Sequence, residues 1–197
     1  TPLELAKKPN MDSLAKKGVV GLLKTVDDGM KPGSDVANLS VMGYDPKVCY
    51  TGRAPLEALS LGIDMTEDDT VFRMNLVTLS DDEEFAEKTM VDYSAGEIST
   101  EEGHELVKAV KENLSDGCIE FFGGTSYRNC AVLRGTHTDV TFTPPHDILG
   151  KKIGEYLPQG EESGVFTSLI ERSQRVLINH PVNLKRIADG KNPANAI

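Results

Sequence analysis

Residues 99–133, STEEGHELVKAVKENLSDGCIEFFGGTSYRNCAVL, carry the pattern that decides the fold. Ser99 and Glu102 stand at capping-box spacing, the hydroxyl accepting from an amide three residues on while the glutamate reaches back, so a helix is predicted to begin there. Leu106, Val107, Val110 and Leu114 share one stripe of that helix, and Glu105, Lys108, Lys111 and Glu112 share the other. Such a helix buries one face and wets the opposite one. Asp116-Gly117 ends it. Cys118–Phe122 and Asn129–Leu133 then read as two strands joined by residues 123–128, with Thr138–Phe142 as a third. One helix laid beside grouped strands predicts a compact α+β unit and not a strict β-α-β alternation.

Towards the N-terminus the rhythm differs. Pro9-Asn10 opens a short helix, Asp12 sits in its first turn, Lys16 and Lys17 in its last, and Gly18 stops it. Val19-Val20-Gly21-Leu22-Leu23 follows as a mostly apolar run suited to a buried strand, and helix followed by buried strand is an α/β signature. Residues 27–38, DDGMKPGSDVAN, are dense in turn formers, with a short helix predicted from about Asp35 to explain the spacing of Val36, Leu39 and Met42. Val71–Val77 and Lys88–Tyr93 are strand candidates. Thr143-Pro144-Pro145-His146-Asp147 cannot be regular structure, because two prolines lack amide donors. A last helix, about Gly164 to Asn179, carries Phe166, Leu169, Ile170, Val176 and Leu177 inward.

Composition narrows the function classes. The 197 residues hold 21 Lys plus Arg against 31 Asp plus Glu, a formal net charge of −10, which argues against a general nucleic-acid binder. No apolar run approaches the roughly 18 residues that span a bilayer, and no signal-peptide layout opens the chain, so neither membrane nor nucleic acid is an expected partner and a cytoplasmic location is expected. Cys49, Cys118 and Cys130 are three cysteines without a Cys-x-x-Cys pair, and buried free thiols are expected. The chain starts at Thr1 and ends on Pro193-Ala194-Asn195-Ala196-Ile197, and it reads as a piece of a longer protein.

Ser34, flanked by Gly33 and Asp35 at a helix start, would expose its hydroxyl beside backbone amides, a setting for a nucleophile; the plainer reading is a helix cap. Arg53 in a turn, Arg73 inside a strand and Arg128 in a glycine-led loop suit bidentate capture of phosphate or carboxylate, against the plainer reading of structural ion pairs. His146 and Asp147, held after two prolines, form a polar pair fit for acid–base or metal work. His104, His137 and His180 are expected to be solvated.

Taken together, Thr1-Pro2-Leu3-Glu4, Pro9-Asn10-Met11-Asp12, Lys31-Pro32-Gly33-Ser34-Asp35-Val36-Ala37-Asn38, Gly43-Tyr44-Asp45-Pro46, Tyr50-Thr51-Gly52-Arg53-Ala54-Pro55-Leu56-Glu57-Ala58, Phe72-Arg73-Met74-Asn75, Ser126-Tyr127-Arg128, Pro144-Pro145-His146-Asp147 and Asn192-Pro193-Ala194-Asn195 resemble the cofactor-independent phosphoglycerate mutases of the archaeal type. The resemblance runs in order along the whole chain. Val91–Gly96 and His180–Asn183 look most like a bacterial branch that includes proposed homoserine kinases and proteins labelled phosphonopyruvate decarboxylase.

The resemblance implies an alkaline-phosphatase-like α/β core interrupted after its nucleophilic serine by an inserted domain that grips the phosphorylated substrate. Ser34 matches that serine and would form phosphoserine. Arg53, Arg73 and Arg128 would bind phosphate and carboxylate, with Asn75, Tyr127 and His146 beside them. Two divalent cations, manganese, magnesium or zinc, would assist, with Ser34 as one ligand. The family's opening Asp-Gly strand and its C-terminal Asp and His ligands have no counterpart here, and Asp35 is no substitute. The implied architecture is α/β: an incomplete core with the serine loop at residues 1–62 and the inserted α+β domain at 63–197, inactive by itself. A homoserine-kinase-like phosphotransferase and a non-catalytic anion-binding module are the alternatives.

Overall fold

The computed structural model describes residues 1–82 and 84–197, which divide into two compact units, Thr1–Thr51 and Gly52–Ile197. The first contains four short helices: α1 (Pro2–Leu5), α2 (Pro9–Lys17), α3 (Ser34–Val41) and α4 (Pro46–Cys49). Three of them carry a proline in the first turn, where a fixed φ and a missing amide donor cost nothing. Gly18 caps α2 as expected, its amide donating to the Leu14 carbonyl. The strand expected at Val19–Leu23 does not form, and Val19, Val20, Leu22 and Leu23 are all exposed. A strand needs a neighbour for its backbone and a layer over its face, and within this unit only Val36 and Pro46 are buried.

The second unit is a mixed helix-and-sheet body. It comprises α5 (Arg53–Ser60), β1 (Thr70–Asn75), β2 (Thr78–Leu79), β3 (Met90–Asp92), α6 (Thr100–Leu114), β4 (Ile119–Thr125), β5 (Arg128–Leu133), α7 (Ser163–Leu177) and α8 (Pro181–Ala188). The sheet order is β1-β5-β4, antiparallel throughout, with β2 and β3 paired separately. Because β1 pairs with β5 through Phe72↔Ala131 and Arg73↔Cys130, alternate residues divide cleanly between the two faces. Met74, Phe121 and Ala131 join Leu106, Val107, Val110 and Leu114 of α6 and Phe166 and Leu177 of α7 in the main core. On the other face Cys130 and Val132 pack with Ala58 of α5 and with Ile63, leaving that face thinly covered.

The α6 stripe is as the spacing predicts, and Ser99 accepts from the Glu102 amide. Glu102 itself is recruited elsewhere: its carboxylate receives Nη1 of Arg186, a residue 3% exposed whose Nε and Nη2 donate to the carbonyls of Asn192 and Ala95. Thr138–Phe142 is no strand; its backbone makes one isolated bridge, Thr141 to Gln159, and Phe142 stacks edge-on against Phe166. The sequence reading also missed α8, which His180 caps by accepting the Val182 amide on Nδ1, so His180 is not simply solvated. His104 is exposed, as expected, and its Nε2 lies 2.7 Å from the Gly124 carbonyl oxygen. Asn183 and Asn195, both buried, tie the final segment to α7 and β2 through side-chain bonds to Leu177, Ala194 and Leu79.

Arg186 is the joint between α6, the 92–97 loop and α8. Replacing it with methionine leaves Glu102 and two carbonyls without their cation, and a loss of about 3 kcal/mol of unfolding free energy is expected. Urea denaturation of R186M beside the parent chain measures it, with the exposed R175M expected to stay within about 0.5 kcal/mol.

Candidate functional site

The β1–β5 register decides where the arginines meet. Asn75 stands opposite Arg128 and Arg73 opposite Cys130, so Arg73, Asn75 and Arg128 occupy alternate positions on the face that α5 covers. Arg73 and Arg128 are diagonal neighbours there, a separation of roughly 7 Å between Cβ atoms in such pairs. Arg53 opens α5, and Glu57 lies one helical turn later. Its carboxylate approaches Nε of Arg53 at 3.0 Å and Nε of Arg73 at 3.5 Å. Nε of Arg73 is buried and has no hydrogen-bond partner among the described residues.

Around Arg128 the hairpin is tightly constrained. Ser126 adopts φ 59, unusual for a residue other than glycine, and its hydroxyl donates to the Ile98 carbonyl. The close approach also requires Gly103 on α6, where a Cβ would stand 2.8 Å from the Ser126 carbonyl oxygen. Arg128 donates from Nη2 to the Tyr127 hydroxyl at 3.0 Å and lies over the Tyr127 ring. That hydrogen bond, with Glu97 and Glu57 near, raises the Arg128 pKa further, so its charge is fixed.

A chain of rings leads from there to the histidine. Tyr127 meets Tyr93 edge-on at 6.0 Å, and Tyr93 meets His146 at 6.3 Å. Asn75 donates to the Tyr93 carbonyl, tying β1 to this chain. His146 is half exposed in the 3-10 turn Pro145–Asp147, 3.6 Å from the Asp147 carboxylate. In the second unit Glu57 thus joins Arg53 to Arg73, the strand register sets Arg73, Asn75 and Arg128 on one face, and Tyr127 beside Arg128 is linked to His146 only through Tyr93. Two members were not singled out from sequence: Glu57, whose i, i+4 spacing from Arg53 was a legible signal, and Tyr93, whose role depends on long-range packing.

Ser34 belongs to the first unit. It is exposed at the first position of α3, and the cap is Gly33 with no side-chain cap bond, so the helix-cap reading of Ser34 does not hold. The next residue is committed: Asp35 accepts from the Val36 amide and from the Tyr50 hydroxyl. Among the described residues no group of three or more His, Cys, Asp or Glu side chains could hold a metal ion. The described residues therefore do not by themselves complete a two-cation centre.

Cys130 lies buried beneath the arginine face, and burial first, then the Glu57 charge, push its thiol up to about 11. Cys49 and Cys118 are exposed, which corrects the expectation that all three are buried. Iodoacetamide at pH 8 is expected to alkylate Cys49 and Cys118 and to leave Cys130 unmodified until denaturant is added, as read by peptide mass spectrometry.

Comparison with known proteins gives a concordant result. A family model described as 2,3-bisphosphoglycerate-independent phosphoglycerate mutase matches residues 15–183. The mutase of that name from Methanothrix thermoacetophila is 49% identical over 197 residues, all of this chain and 48% of the relative. A probable mutase from Geobacter sulfurreducens is 48% identical, again over all of this chain and 49% of its own length. The cofactor-independent phosphoglycerate mutase structure from Thermoplasma acidophilum aligns with a TM-score of 0.62 at 30% identity, covering 81% of this chain and 43% of that one. The chain spans about half the length of the curated relatives it matches. On this breadth of match, the chain belongs to the 2,3-bisphosphoglycerate-independent phosphoglycerate mutase family.

Proposed function

We propose that this chain is the serine-bearing and substrate-gripping part of a phosphoglycerate mutase that interconverts 3-phosphoglycerate and 2-phosphoglycerate. The observation that carries the reading is that Arg73 and Arg128 share one sheet face while Glu57 ties Arg53 of α5 to Arg73, in an otherwise acidic chain. A phosphoglycerate offers two anionic ends, a phosphate and a carboxylate, and guanidinium groups match both in fork geometry. His146 and Tyr127 would border that site, with Asn75 supporting it from β1. Residues 1–62 would belong to the catalytic core and 63–197 to the inserted domain. The reading takes a charged small molecule as the partner, in place of a nucleic acid or a membrane, and a cytoplasmic location.

Ser34 would act in two balanced steps. Its Oγ attacks the substrate phosphorus, the bond from phosphorus to the glycerate oxygen breaks, and the departing oxygen takes up a proton. The other glycerate hydroxyl then attacks phosphoserine, Oγ leaves and regains its proton, and the isomeric phosphoglycerate forms. The two divalent cations implied by the family resemblance, manganese, magnesium or zinc, would need ligands from sequence outside these 197 residues, with Ser34 contributing one. The relatives' names favour this reading over a homoserine-kinase-like transfer or a decarboxylase of phosphonopyruvate.

In the full-length enzyme, Ser34→Ala is expected to lower mutase turnover at least about 1,000-fold, read by coupling 2-phosphoglycerate to enolase. Affinity for 3-phosphoglycerate is expected to stay within about threefold, because the arginines are untouched. Turnover retained in S34A would contradict the reading, as would ATP-dependent homoserine phosphorylation without mutase activity.

A further inference from the structure

We infer that Glu57 is a positioning residue that holds Arg53 and Arg73 in convergence while leaving their terminal nitrogens open for the two ends of a phosphorylated carboxylic acid. The inference rests on the mutase reading and extends it to a residue that touches no substrate.

Three observations support it. First, the carboxylate is shared between elements distant in sequence: Oε1 faces Arg53 on its own helix and Oε2 faces Arg73 on β1. A carboxylate between two guanidiniums removes the repulsion that would otherwise splay them. Second, in both pairs the nearest guanidinium atom is Nε, at 3.0 and 3.5 Å. Each guanidinium has five N–H donors in a rigid fork, and an anion at Nε leaves donors on the terminal nitrogens unused. A carboxylate that merely competed with the ligand would occupy the terminal fork instead. Among the described residues, no hydrogen bond engages the terminal nitrogens of Arg53, Arg73 or Arg172, whereas Arg128, Arg134, Arg175 and Arg186 each donate from at least one terminal nitrogen to a protein group; of the three, Arg53 and Arg73 are the two that share an acid. Third, Glu57 and Arg73 are both only 27% exposed at the side chain, and the buried Nε of Arg73 has no anion nearer than Glu57. Screening by water is weaker there than at a surface pair, so the geometry is held more firmly.

Two roles for Glu57 predict opposite signs, which makes the inference testable. If Glu57 only adds negative charge beside the site, neutralising it tightens anion binding. If it positions the arginines, neutralising it loosens binding of a two-ended anion and spares a one-ended one. The test is a set of calorimetric titrations of the full-length enzyme with 3-phosphoglycerate and, separately, with inorganic phosphate, for the parent, Glu57→Gln and Glu112→Gln. Glu112 is an exposed acid on α6, so its variant carries the same change in net charge. Glu57→Gln is expected to weaken 3-phosphoglycerate at least about tenfold and phosphate no more than about twofold, while Glu112→Gln changes neither by more than about twofold. Thermal melting shows that the variants are folded. Should Glu57→Gln fail to melt cooperatively, Glu57→Asp takes its place: its shorter carboxylate reaches one arginine, and the same selective loss is expected at smaller size.

Unchanged or tighter 3-phosphoglycerate binding in a folded Glu57 variant overturns the inference and leaves the mutase reading standing. Equal weakening of both ligands also overturns it, since that is the mark of a general structural role. A full-length parent that binds no 3-phosphoglycerate overturns the mutase reading, and this inference with it.

Discussion

The antiparallel pairing of β1 with β5 is the constraint on which the site depends. Side chains alternate along a strand, so a slip of β1 by one residue would send Arg73 into the α6–α7 core, away from Arg128, and bring Phe72 and Met74 out beneath α5. Burying an unpaired guanidinium costs several kcal/mol, and exposing the aromatic and sulfur side chains forfeits more. The hydrophobic face therefore fixes the register, and the register fixes which arginines converge. The bulge between Phe122 and Thr125 and the tight approach of Gly103 to Ser126 then set where the hairpin presents Tyr127 and Arg128.

Electrostatics around that face work at short range. The chain carries a net charge of −10, which disfavours approach of an anion from a distance. Ionic screening confines that effect to about 8 Å at physiological salt, and within that distance the guanidiniums dominate. Glu57 offsets part of their charge, and the surplus from Arg53, Arg73 and Arg128 remains. A small, doubly anionic ligand suits such a patch better than a polyanion, which would extend over the acidic surroundings.

Local signals in the sequence translated well where they were self-contained. The Ser99 cap and the Leu106, Val107, Val110, Leu114 stripe gave α6, and the alternation around Asn129–Leu133 gave β5. Signals that need a distant partner did not. Glu102 had the spacing of a capping-box acid, yet Arg186, 84 residues away, takes its carboxylate. Val19–Leu23 had strand composition, but nothing within its own unit pairs with it. Helix α8 is eight residues long, and its start at His180-Pro181 was masked by the end of α7 just before it. The settings of the arginines marked them as candidates for anion binding. That Arg73 and Arg128 share a face required the strand register, and that Glu57 bridges two of them required α5 to lie against β1.

The central claim is that the arginine face is the anion site of this chain. Its most direct test is to label the arginine side chains with nitrogen-15 and follow their Nε–H signals as 3-phosphoglycerate is added. The account predicts saturable shifts at Arg53, Arg73 and Arg128, with Arg175 and Arg134 unmoved. Shifts absent from those three and confined instead to backbone signals at His104, Lys108 and Lys111, which line a separate groove beside Phe122, would contradict it.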